Sequence, residues 1–134
     1  MGAWSHEPFG NDDANDWAYE LEDTEDLSHI EAALDVVLDS DGYLEAPEAS
    51  CAIAAVEVLA KLLGKGTQSD AYTEKVDEWI KTVATKPSRA LLDKARRALD
   101  RIRGKDSELK ELWHEGDATQ WEGSLEALHA AVTT

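Results

Sequence analysis

Six residues near the start of the chain, Trp4, His6, Asp12, Asp13, Asp16 and Trp17, bring together one imidazole, three carboxylates and two indoles. Such a set could do acid–base chemistry, with burial against the indoles tuning the carboxyl and imidazole pKa values. Trp4, His6, Asp12, Asp16 and Trp17 would then line a pocket beneath the amino-terminal arm. A plainer assignment suits the same residues. Asp12 and Asp13 fit the start of a helix, Asp16 its exposed face, and the indoles the core. Proximity in sequence supplies none of the geometry that catalysis needs, so no catalytic residue is assigned.

Other chemistry-bearing residues are scattered. His6, His29, His114 and His129 never fall at metal-binding helical spacing, and there is no His-Glu-x-x-His. Asp39, Asp41 and Glu48 would occupy ligand places of a calcium loop with Gly42 as its glycine, but Val37 would then stand at the first ligand position. An ordinary turn with Gly42 at positive φ is expected there instead. Gly64-Lys65-Gly66-Thr67-Gln68 lacks the spacing of a phosphate loop and reads as a flexible connection. The lone Cys51 lies among small apolar residues and is expected to pack as one of them. No metal and no cofactor is expected.

Charge is more informative. The chain of 134 residues carries a net charge of −16, and its first 60 residues hold sixteen Asp and Glu with no Lys or Arg. That distribution disfavours direct nucleic-acid binding and favours a cationic protein as partner. Asp12, Asp16, Glu20, Asp23, Asp35 and Glu45 form the candidate acidic surface, with Tyr19 or Tyr43 as an aromatic anchor. Lys86 to Lys105 hold eight basic residues and two acids. This basic stretch is expected to pair with the chain's own acidic half.

The elements that must position these residues are helical. An extended arm, residues 1–10, is expected to dock Trp4 and Phe9 on the core. Asn11 or Asp12 caps a first helix with Ala14, Trp17, Ala18 and Leu21 inside, and Leu27, Ile30, Leu34, Val37 and Leu38 mark a second. Residues 47–63 form the central helix. Between Ala49 and Leu63 its strongly polar residues, Ser50, Glu57 and Lys61, share one narrow stripe, read as the little solvated face it has. Seventeen residues that contain Glu57 and Lys61 make a poor membrane span. A fourth helix is capped by Thr67, Ser69 or Asp70 and carries Tyr72, Val76, Trp79, Ile80 and Val83 on one stripe. A fifth runs from Ser88 to Gly104 with Leu91, Leu92, Ala95, Leu99 and Ile102 inside. Leu109, Leu112 and Trp113 mark a sixth. A last helix turns Trp121, Leu125, Leu128 and Val132 inward. No segment alternates as a strand does. The expected fold is all-α: six or seven helices in one domain, 1–134, around a buried central helix.

Met1-Gly2-Ala3-Trp4, Pro8-Phe9, Asn11-Asp12-Asp13-Ala14, Asp16-Trp17 and the later run Gly42 to Ala49 resemble the small bacterial proteins grouped as the domain of unknown function 4259 family. The likeness covers essentially the whole chain and implies a helical fold without a known activity. Two functions remain in view. One is a non-enzymatic acidic interaction protein, immunity- or inhibitor-like by analogy of size and charge. The other is a small enzyme or ligand-binding domain using the pocket under the arm. No basic and apolar leader opens the chain, so a cytoplasmic location is expected.

Overall fold

The computed structural model describes residues 5–133. Trp4, expected to dock beside Phe9 and to line the pocket, lies outside the described residues. Seven helices follow in order: α1 (Asp12–Leu21), α2 (Ser28–Leu38), α3 (Ala46–Leu62), α4 (Glu74–Val83), α5 (Arg89–Arg103), α6 (Glu108–Trp113) and α7 (Thr119–Ala131). Among the described residues there is no strand, and Leu44 and Ser107 form an isolated parallel bridge. The all-helical architecture expected from the periodicity is the observed one.

Helix α3 packs against each of the other six helices. Every residue from Ala52 to Ala60 is buried, which a helix apolar on nearly all sides requires. The narrow polar stripe is not its solvated face, however. Ser50 is buried, Glu57 is wholly buried, and the Lys61 side chain is only 8 % exposed.

Glu57 is accommodated because the chain after α3 folds back over it. Gly64, at φ 77°, ends the helix in a Schellman motif, with Gly64 N–H donating to the Lys61 carbonyl and Lys65 N–H to that of Ala60. Gly66 then passes so close that a Cβ there would lie 2.6 Å from Lys61 Cγ. That reversal delivers Thr67 and Gln68 to the Glu57 carboxylate, so the segment expected to be a flexible connection is held tightly. Thr67 Oγ1 donates to Oε1 at 2.7 Å, while Thr67 N–H and Gln68 N–H each donate to Oε2 at 2.8 Å.

Lys61 lies 3.8 Å from the same carboxylate, donates to the Gln68 carbonyl and pairs with Asp77 of α4 at 2.8 Å. Thr73 Oγ1 donates to the other Asp77 oxygen at 2.9 Å. The Gln68 side chain reaches the arm, where its Oε1 accepts from Phe9 N–H at 2.8 Å. Phe9 is fully buried, as expected.

Three local expectations need correction. Helix α4 begins at Glu74, not near Thr67, and Tyr72 lies before it and is 54 % exposed. The reason is turn chemistry: the Asp70 carboxylate accepts from Tyr72 N–H and the Asp70 carbonyl from Thr73 N–H, closing a turn that delays the helix. Gly42 is not among the residues with positive φ. Leu44 is instead held to residues 106–108 by two backbone hydrogen bonds, and the left-handed residue is Asp106, at φ 56°.

Burial raises the Glu57 pKa above the usual carboxyl range, an effect opposed by the Thr67 and Gln68 donors and the Lys61 charge. A raised folded-state pKa contributes stability that is fully present below the unfolded value, about 4.3, and lost as the pH rises through the folded value. Glu57→Gln turns an amide NH2 toward backbone donors and should cost about 2 kcal/mol at acidic pH. Denaturant unfolding should show this cost shrinking as the pH rises to neutrality. A neutral substitution at all pH values would contradict the network.

Candidate functional site

The exposed side of α1 carries the acidic surface. Asn11 Oδ1 caps the helix by accepting from Ala14 N–H at 2.8 Å, and Ala14, Trp17, Ala18 and Leu21 face inward. That register fixes the opposite side. Asp12, Asp16 and Glu20 recur every four residues, exposed, with Asp23 exposed just beyond. Among the described residues no cation lies within ion-pair distance of Asp12, Asp16 or Asp23. Glu20 has His29 at 3.8 Å.

Asp35 belongs elsewhere. With Glu31 it holds Lys94 of α5, each at 2.8 Å, and these hydrogen bonds raise the Lys94 pKa. Glu45 is exposed at the start of α3. Both proposed anchors are exposed: Tyr19 carries the Lys75 ammonium 4.9 Å above its ring, and Tyr43 donates to Glu111 at 3.2 Å.

Helix α5 pairs with the acidic half less than expected. Lys94 is its ion-pair link to the first 60 residues, and Arg101 reaches the Gly42 carbonyl. Arg96 and Arg97 pair with Asp93 on their own helix, and Arg103 pairs with Glu122 and Glu126 of α7. Most of the amino-terminal carboxylates therefore stay uncompensated.

His6 and Trp17 line separate hollows. His6 lies beneath the arm in a crevice of about 20 Å³, walled by Pro8, Ile53, Leu109, Trp113 and Trp121, with room for about one water. Trp17 lines an apolar groove of about 290 Å³ between α1, α2 and α3. Its ring stacks on His29 with centroids 4.9 Å apart and planes 14° from parallel. Ala32, Ala33 and Val36 form the α2 wall, and Pro47, Glu48 and Cys51 the α3 wall.

Two groove-lining residues carry a buried polar atom without a hydrogen-bond partner among the described residues, Trp17 Nε1 and Glu48 Oε2. Each such atom costs about 1–3 kcal/mol. The groove escaped the sequence reading because three helices build it. Its one local signal is a second apolar line on α2, Ala32, Ala33 and Val36, beside the stripe that faces the core.

Cys51 is half-buried in this groove, its thiol 3.7 Å from the Asp13 carbonyl. Burial, reinforced by the carboxylates of Asp13, Glu48, Glu20 and Asp16, pushes its pKa up to about 12. Nucleophilic chemistry needs the thiolate, the form that this environment disfavours at neutral pH. Among the described residues no three His, Cys, Asp or Glu side chains gather as a metal-binding group, and no helix is long and apolar enough to cross a membrane.

Two measurements check these electrostatics. Iodoacetamide at pH 8 should alkylate native Cys51 at least about a hundredfold more slowly than a free cysteine; a rate near that of the free amino acid would contradict the assigned environment. Raising sodium chloride from low to physiological concentration should raise the melting temperature by screening repulsion among the carboxylates. A fall would mean that attraction to α5 dominates.

Neither a curated protein nor a solved structure gives a significant match to the chain. The sequence profile described as Domain of unknown function (DUF4259) matches residues 2–124, nearly the whole length that folds around α3, and the chain belongs to that family.

Proposed function

We propose that the protein is a non-enzymatic interaction module whose α1 edge binds a cationic protein, in the manner of an immunity or inhibitor protein. The observation that carries this reading is the Asp12, Asp16, Glu20 series, continued by Asp23: exposed carboxylates at helical four-residue spacing, with His29 beside Glu20 and, among the described residues, no Lys or Arg within ion-pair distance. Like charges so placed destabilise their own helix by about 0.2–0.5 kcal/mol per pair. A partner that brings Lys or Arg removes that repulsion and gains long-range steering from a chain of net charge −16. Nucleic acid, a polyanion, is the wrong partner for such a surface. The raised pKa of Cys51 and the one-water crevice at His6 support a binding role over an enzymatic one.

The test uses the variant Asp16→Asn, Glu20→Gln, Asp23→Asn. Removing like charges should leave the fold as stable as before or slightly more stable, by about 0.5 kcal/mol. The same variant should fail to retain a basic protein that the unaltered chain captures from cells of its own organism and releases at raised salt. Retention of the same protein by both forms, or capture of an acidic one, would overturn the proposal.

A further inference from the structure

The groove between α1, α2 and α3 is the feature that the acidic edge alone leaves unexplained. Its lining is apolar where it meets solvent: Val36 is 51 % exposed, and Ala32 and Pro47 are exposed beside it. Its polar members are few, His29 and Glu48. The Glu48 oxygen that lacks a partner is an unsatisfied acceptor, and Trp17, 6 % exposed, is an unsatisfied donor. The carboxylates of Asp13, Asp16, Glu20 and Glu48 lie close enough for their charge to act on Cys51 in the groove wall, and among the described residues no Lys or Arg lines it.

The geometry points to this groove as the anchor site for an amphipathic cationic segment of the partner protein, one apolar side chain entering against Trp17 and Val36 while a neighbouring Lys or Arg reaches Glu48 and the α1 carboxylates. The inference deepens the proposal of a cationic partner and rests on it. Charge complementarity selects the occupant: an apolar slot beside four carboxylates rejects acidic segments and holds a purely polar basic one only by screened, long-range attraction. A desolvated apolar anchor beside a charge pair is the arrangement that concentrates binding energy at protein interfaces.

Fluorescence anisotropy with three labelled peptides of one amphipathic pattern, Leu/Lys, Leu/Glu and Ser/Lys, tests this. The Leu/Lys peptide should bind most tightly and the Leu/Glu peptide not at all. Ala32→Trp, which fills the groove from an exposed position, and Val36→Ser should each weaken the Leu/Lys peptide by about tenfold or more and leave the weak Ser/Lys binding unchanged. Glu48→Gln should weaken the Leu/Lys peptide by a similar factor. Thermal melts confirm that the variants fold.

Unchanged Leu/Lys affinity in both Ala32→Trp and Val36→Ser would overturn the groove as anchor. The acidic-edge proposal would stand if the triple α1 variant still loses its partner, and would fall separately if it does not. Octylammonium binding as tightly as the peptide, and displacing it, would replace the protein segment with a small ligand. Self-association abolished by Ala32→Trp would replace it with a second copy of the chain.

Discussion

A carboxylate fully buried in the middle of the central helix must find its hydrogen bonds within the protein, and for Glu57 they come from residues 67 and 68. Much of the structure follows from that requirement. An isolated buried charge costs several kcal/mol, so α3 can occupy the centre of the molecule only with the 64–73 segment folded over its last turns. Gly64 reverses the chain, Gly66 lets it approach, and Lys61 bridges the Glu57 and Asp77 carboxylates, tying α4 to α3.

The same network positions α1 and the surfaces it carries. Gln68 accepts from Phe9 N–H, and the Phe9 carbonyl accepts from the Asn15 side chain at 3.0 Å. The buried cluster is thereby linked through the arm to α1. With α1 fixed, Trp17 faces His29 and the groove while Asp12, Asp16 and Glu20 face outward. Groove and acidic edge thus share one helix, an apolar slot with a charged rim.

Local signals were legible in the sequence and non-local ones were not. Asn11 announces α1, Ser88 announces α5, and the inward faces of both follow the helical period. Glu57 was misplaced because its donors lie ten and eleven residues away, beyond a turn that periodicity cannot orient. Tyr72 fell on the α4 stripe by spacing, yet the Asp70–Thr73 turn keeps it out of the helix. Of the candidate pocket, the structure separates His6 and Trp17 into different hollows and leaves Asp12 and Asp16 on the surface. The acidic edge was legible through the spacing of Asp12, Asp16 and Glu20; that Lys94 engages Asp35 depends on how α2 packs on α5, which no local pattern encodes.

Native-state hydrogen exchange of the Thr67, Gln68 and Phe9 amides tests the central claim most directly. Residues 64–67 are exposed, so an ordinary surface connection would exchange its amides rapidly. If the Glu57 network holds the segment, these three amides should exchange only with the global unfolding seen at the centre of α3. Exchange of Thr67 and Gln68 as fast as that of Gly66 would contradict the account.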